Sequence, residues 1–143
     1  MLFLTKKVEF SAAHRLFNPT FSEALNEETF DKCNNFYGHG HNYHLEVTIT
    51  GLPYPETGYV YDLKKIKKIL EDEIISKVDH KHFNYDVEFM KGIIPTVENM
   101  VVKFWQILEN KFDLAKLYRI KLYETENSFV EYYGEPVDIR IFR

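Results

Sequence analysis

Apolar residues recur at every second position in two segments of the first third of the chain. They are Val8, Phe10 and Ala12 within residues 2–14, and Tyr43, Leu45, Val47 and Ile49 within residues 41–51. A period of two is typical of β-strands that bury one face. The pattern therefore predicts two strands, joined by a polar loop of about two dozen residues. A loop of that length in a compact domain is usually functional.

The apolar period lengthens to three and four after Asp62. It predicts one helix over residues 62–78, with Asp62 as its N-cap, and a second over 96–112 that begins at Thr96. Strands are predicted at 117–126 and 129–134, and the pattern also allows a short strand at 137–142. This order, ββααββ, indicates an α+β fold with a four-stranded antiparallel sheet and two helices on one face. We expect residues 1–143 to form a single domain.

Composition narrows the class of protein. The 143 residues are 45% hydrophobic and 16% aromatic, which excludes a disordered chain, and the net charge of −4 argues against a nucleic-acid-binding protein. A single cysteine, Cys33, excludes an internal disulfide framework and fits a reducing compartment. With no signal-peptide pattern and no long apolar run, we expect a soluble, cytoplasmic protein. Exposed sheet edges favour an oligomer.

Three histidines continue the two apolar stripes. His14 follows Ala12 on the parity of the first strand, and His39 and His41 precede Tyr43 on that of the second. Buried imidazoles require a partner for their lone pairs, and Zn²⁺ is such a partner. Three protein ligands leave a fourth position open, as in catalytic zinc sites. The alternative is a solvated His39-Gly-His41 loop and a hydrogen-bonded core histidine at position 14.

Two further features of the chain suggest proton transfer. Cys33 lies in the long loop shortly before His39, and a thiol beside a cation has a lowered pKa that suits a base or nucleophile. Alternatively, Cys33 is a small buried side chain or the fourth ligand of a closed structural zinc site. Asp79 and His80 end the first helix, where the carboxylate can orient the imidazole, or where the histidine simply complements the helix dipole.

A carboxylate occupies an apolar position on the third strand. Glu124 follows Ile120 and Leu122 on the same parity, unless the strand ends at Tyr123. A buried carboxylate needs donors, and a heterocycle with adjacent ring N–H and amino groups supplies two side by side. Glu98, in the first turn of the second helix, has a structural explanation in the helix dipole.

Five motifs together resemble the 6-pyruvoyltetrahydropterin synthase family. They read FSAAHRL at 10–16, CNNFYGHGHNY at 33–43, DHK at 79–81, TVEN at 96–99 and YETEN at 123–127. The resemblance covers nearly the whole chain. It implies a tunnelling fold (T-fold), in which trimers close a barrel and two trimers stack as a homohexamer.

The resemblance also implies the chemistry. Its substrate is 7,8-dihydroneopterin triphosphate, converted to 6-pyruvoyltetrahydropterin with loss of triphosphate, and Mg²⁺ accompanies the triphosphate. The implied residues are His14, His39 and His41 for zinc, Cys33 as base, Asp79 and His80 as proton relay, Glu124 as pterin anchor, and Thr96 and Glu98 near the substrate. The triphosphate contacts stay open, with Arg15 as one candidate.

Two alternatives to this function stay open. A related branch makes 6-carboxy-5,6,7,8-tetrahydropterin for queuosine synthesis from the same substrate. The five-residue spacer between Cys33 and His39 resembles the pyruvoyl branch, whereas Phe36 and Tyr37 depart from the smaller residues common in that loop. The second alternative is a non-catalytic, zinc-stabilised binding domain.

Overall fold

The computed structural model describes residues 1–141, which build one mixed sheet with helices on one face. The strands are β1 (Leu2–His14), β2 (His39–Gly51), β3 (Lys81–His82), β4 (Lys116–Thr125) and β5 (Ser128–Tyr132), in the order β3-β1-β2-β4-β5. β1 and β2 pair antiparallel along their whole length, from Leu2 opposite Gly51 to His14 opposite His39. This register puts the histidine ends of the two strands side by side.

Four α-helical segments complete the fold. They are α1 (Glu23–Phe30), α2 (Leu63–Leu70), α3 (Ser76–Val78), which continues α2 through a π-helical turn at Glu71–Ile75, and α4 (Val97–Leu108). The predicted N-caps are confirmed. Asp62 accepts a hydrogen bond from the amide of Lys64 at 2.9 Å, and Thr96 accepts one from the amide of Asn99 at 3.2 Å.

The core lies between the helices and one face of the sheet. Its largest fully buried side chains include Tyr43, Leu45 and Ile49 of β2, Ile66 and Leu70 of α2, Ile74 of the π-helical turn, Met100 and Phe104 of α4, and Ile120 and Leu122 of β4. The strand residues among them are apolar positions of the predicted stripes, so burial of one strand face against the helices fixes the layers. In residues 1–141, no helix is long and apolar enough to cross a membrane.

The α+β class is confirmed, but the predicted order ββααββ and the purely antiparallel four-stranded sheet are incomplete. A fifth strand, β3, pairs parallel to β1. It has only two residues, too few for a period to appear in the sequence. The long loop contains α1, whose only buried residue is Asn26, so it lacks the apolar stripe that would have predicted it.

The allowed strand at 137–142 is absent over 137–141, and Phe142 lies outside the described residues. The two helices and the other strands agree with prediction, apart from their ends. The second helix ends at Leu108 rather than 112.

A candidate metal centre and the groups around it

The paired ends of β1 and β2 bring the three predicted histidines together. His14 and His39 are register partners, and His41 lies two residues along the same face of β2. Glu124 of β4 joins them, and one ligand atom from each of the four side chains lies within 4.8 Å of the other three. The structure therefore places a carboxylate beside the three histidines.

His14 is oriented by a backbone carbonyl. Its side chain is fully buried, and Nδ1 lies 2.7 Å from the carbonyl oxygen of Pro95, just before α4. Only a protonated Nδ1 can donate to that oxygen, so Nε2 carries the lone pair, and it faces Nε2 of His39 at 3.1 Å. Burial lowers the pKa of His14 to about 4, against the opposite effect of the Pro95 hydrogen bond. His14 is therefore neutral at pH 7, the state that a metal ion requires.

His41 has an unused nitrogen in the same place. Nε2 of His41 lies 3.1 Å from Oε1 of Glu124, yet this buried nitrogen makes no hydrogen bond within residues 1–141. Burial lowers the pKa of His41, and the charge of Glu124 only partly offsets it. Three imidazoles and a carboxylate around one point suit a first-row transition metal ion. The group can hold a cation with the side chains already present.

A glycine before β2 allows the approach of the two strands. Gly38 has φ +76°, and a Cβ there would lie 2.6 Å from the carbonyl oxygen of His14. Any other residue would be strained and would push the His14 and His39 ends apart. Gly40, between the two ligating positions, is less constrained, because the nearest atom to its Cβ would be the Ala12 oxygen at 3.5 Å.

Cys33 lies beside the cluster but outside its ligand set. It sits in a 3₁₀ turn, Asp31–Asn34, and borders a groove with Lys32, Asn35 and His39. Its sulfur is not among the clustered ligand atoms, so the geometry does not support Cys33 as the fourth ligand of a closed site. Burial raises the pKa of the thiol, and the charges of Glu124 and Asp31 add to this. The predicted lowering therefore needs a bound cation, since the protein's own groups act in the opposite direction.

Asp79 and His80 lie along the outer edge of β1. The amide of Ser11 donates to Oδ1 of Asp79 at 2.9 Å, and Nδ1 of His80 lies 3.0 Å from Oδ2 of Asp79. Both side chains line a groove with Asn42 and His44, which belong to the strand face opposite the histidine cluster. Within residues 1–141, no hydrogen bond or ion pair joins either residue to the cluster or to Cys33. The role of Asp79 and His80 as a proton relay therefore stays a prediction.

Thr96 and Glu98 lie at the start of α4, directly after Pro95. Thr96 follows Pro95, whose carbonyl holds His14, and its hydroxyl caps the helix. Glu98 is exposed in the first turn of the helix. Contact of either residue with a substrate stays a prediction.

Sequence reasoning missed two contacts of the cluster. The Pro95 carbonyl is a backbone atom and leaves no trace in residue types. The position of Glu124 beside His41 follows from the β2–β4 register, in which Leu45 faces Leu122, so that the next core-facing residues approach the histidines. Parity had put Glu124 on the core face, but not next to a particular histidine.

Comparison with known proteins finds relatives that match nearly the whole chain. The family model described as 6-pyruvoyl tetrahydropterin synthase matches residues 3–135. The human 6-pyruvoyl tetrahydrobiopterin synthase is 40% identical over 132 residues, covering 92% of this chain and 91% of the human protein. The structure of Caenorhabditis elegans 6-pyruvoyl tetrahydropterin synthase superposes with a TM-score of 0.84 at 38% identity, covering 94% and 96% of the two chains. A 6-carboxy-5,6,7,8-tetrahydropterin synthase from Rickettsia bellii is 30% identical, covering 92% and 99%.

Proposed function

The chain belongs to the 6-pyruvoyl tetrahydropterin synthase family, and we propose that it is a zinc-dependent lyase. The proposed reaction converts 7,8-dihydroneopterin triphosphate to 6-pyruvoyltetrahydropterin with elimination of triphosphate. The observation that supports it most directly is the cluster of His14, His39, His41 and Glu124 beside Cys33. Membership of the family and a site that can bind a metal ion thus support the same reaction.

We assign the three imidazoles to zinc. His14, His39 and His41 would hold the ion through neutral nitrogens, and the His14–Pro95 hydrogen bond fixes the tautomer that this needs. Bound zinc would act as a Lewis acid on a substrate oxygen and so acidify the neighbouring C–H bond. We expect Mg²⁺ to accompany the triphosphate.

Cys33 and Glu124 would act on two ends of the substrate. The Cys33 thiolate, formed beside the bound cation, would accept the proton from the carbon of the substrate's side chain, because Cys33 borders the groove next to His39. Glu124 would accept hydrogen bonds from the ring N–H and amino group of the pterin. Its side chain is 29% exposed, so it is accessible to a ligand yet partly desolvated.

The position of Asp79 and His80 supports an assembly in which a neighbouring chain completes the site. These side chains are exposed and line a groove on the sheet face opposite their own histidine cluster. They can therefore contact the site of a neighbouring subunit more readily than the site of their own chain. We propose a homohexamer of two trimers, with sheets joined through the outer strands β3 and β5.

A subunit-mixing experiment tests this assembly. Cys33→Ala and His80→Asn chains should each be weakly active, whereas co-refolded equimolar mixtures should recover about a quarter of wild-type activity, the share of sites that draw each intact residue from a different chain. Mixtures no more active than the separate variants would contradict a shared site. Light scattering of the wild type should give a mass near six chains.

Identification of the product by mass spectrometry tests the reaction itself. Dihydroneopterin triphosphate should yield 6-pyruvoyltetrahydropterin and free triphosphate. The 6-carboxy product would place the chain in the more distant branch instead. Loss of the fold on chelation, with no pterin binding at any metal load, would identify a non-catalytic zinc domain.

A further inference from the structure

The turn that carries Cys33 is held by the residues that follow the first histidine. Nε of Arg15 donates to the carbonyl oxygen of Asn34 at 3.0 Å, and its Nη2 donates to Oδ1 of the same residue at 3.2 Å. The amide of Leu16 donates to the carbonyl oxygen of Cys33 at 2.8 Å. Three hydrogen bonds therefore join residues 15–16 to Cys33 and to the residue that follows it.

Arg15 also contacts two aromatic rings. The guanidinium carbon of Arg15 lies over the ring of Phe17 at 4.4 Å from its centroid, and over that of Phe36 at 5.3 Å. Both distances are within the range of cation–π attraction, and a planar guanidinium uses such a surface better than an ammonium. Phe36 is 64% exposed, so its ring is held by contacts at the surface, with Arg15 and with the ring of Tyr37, and not by burial in the core.

The backbone of Arg15 is itself fixed. Its amide donates to Oδ1 of Asn84 at 2.8 Å, and Nδ2 of Asn84 donates to its carbonyl oxygen at 2.9 Å. Asn84 follows β3, so the contacts of Arg15 with Asn34 and Asn84, which we call the clamp, are attached to the edge of the sheet. A guanidinium with this many partners has its direction set before any ligand arrives.

We propose that Arg15 is a positioning residue that holds the Cys33 turn against the histidine cluster, rather than primarily a triphosphate ligand. The inference rests on the proposed role of Cys33 as the base. Its physical content is that the fork of Arg15, together with Asn34, sets the distance from the thiol to the reacting carbon. A misplacement of about 1 Å at a reacting group costs on the order of 10²-fold in rate.

The clamp can be tested with Arg15→Lys, Arg15→Gln and Asn34→Ala, and with Arg140→Gln as an exposed arginine control. Lysine keeps the charge that a phosphate would need but lacks the fork and the planar surface. We expect kcat to fall by about 10- to 100-fold in all three clamp variants, with KM within about twofold of wild type and zinc content unchanged. The double variant Arg15→Gln/Asn34→Ala should be no worse than Arg15→Gln alone, because the one hydrogen bond that Asn34→Ala removes, from Nη2 to Oδ1, is already lost in Arg15→Gln.

A second readout does not depend on catalysis. Cys33 is the only cysteine, so the rate of alkylation by iodoacetamide at fixed pH reports this turn alone. Release of the turn should raise the rate by roughly 3- to 10-fold in the clamp variants and not in Arg140→Gln. A large rise in KM in Arg15→Gln that Arg15→Lys restores, with alkylation unchanged, would overturn the proposal and make Arg15 a phosphate ligand. If Cys33→Ala keeps full kcat, the base assignment fails, while alkylation still measures the clamp.

Discussion

Two histidine–carboxylate pairs in this protein have almost the same separation and different surroundings. His41 lies 3.1 Å from Glu124 and His80 lies 3.0 Å from Asp79. The first pair is 18% and 29% exposed on the core face of the sheet, and the second is 81% and 37% exposed at its outer edge. Distance alone therefore does not distinguish them.

Burial gives the two pairs different chemistry. Desolvation lowers the pKa of His41 in spite of its carboxylate neighbour, so this imidazole is kept neutral and its nitrogen is available to a cation. The pKa of Asp79 is lowered chiefly by the amide of Ser11 and further by His80, so this carboxylate is ionised in water. The buried pair is suited to hold a metal ion, whereas the exposed pair is accessible to solvent and to other molecules.

The largest expected effect, on zinc content and kcat, comes from removing histidines of the buried cluster and comparing the result with removal of the exposed His80. His39→Ala/His41→Ala should lose its zinc and lower kcat by at least about 10³-fold, because a Lewis acid contributes several kcal/mol to the transition state. His80→Ala should keep one zinc per chain. Elemental analysis of purified protein decides the point, and full zinc in the double variant would mean that the cluster is not the metal site.

The stability of the metal-free protein should depend on pH through the buried histidines. Folding lowers the pKa of His14 from 6.5 to about 4, so below pH 6.5 the unfolded chain binds a proton that the folded chain does not. The free energy of unfolding should therefore fall by about 3 kcal/mol between pH 6.5 and pH 4. Urea denaturation of chelator-treated protein measures this slope.

Two variants serve as controls for the pH experiment. His14→Gln should make the slope shallower, since it removes one of the two buried histidines whose pKa is lowered, and the exposed His80→Ala should leave the contribution of these two histidines unchanged. Equal slopes in wild type and His14→Gln would show that His14 is not the source of the acid sensitivity.

Glu124→Gln should have the smallest effect, on pterin affinity, and it tests the carboxylate of the buried pair directly. Loss of a charge-assisted interaction should cost about 1.5–3 kcal/mol of affinity for a non-reactive pterin such as biopterin. The exposed Glu126→Gln, two residues away, is the matched control and should bind normally. Titration calorimetry measures the affinities, and equal values would exclude Glu124 as the anchor. Loss of zinc in Glu124→Gln would instead make this carboxylate a metal ligand.

The sequence determined the local structure and the membership of the cluster's histidines. Side chains alternate faces along a strand by covalent geometry, so the parity of Tyr43 and Phe10 was enough to place His41 and His14 on the core face. Caps act within one turn of a helix, which is why Asp62 and Thr96 were predictable. The family resemblance carried by five motifs was confirmed, and the three histidines do lie together.

Only the tertiary structure decided how distant segments meet. The β2–β4 register brought Glu124 to His41, the end of the loop before α4 put the Pro95 carbonyl on His14, and the edge position of Asp79 separated it from the cluster. The hydrogen bond from Arg15 to Asn34 likewise joins two segments whose contact no periodic pattern in the sequence predicts. Such contacts depend on register and packing between elements, and the sequence encodes these through the whole core rather than through any one motif.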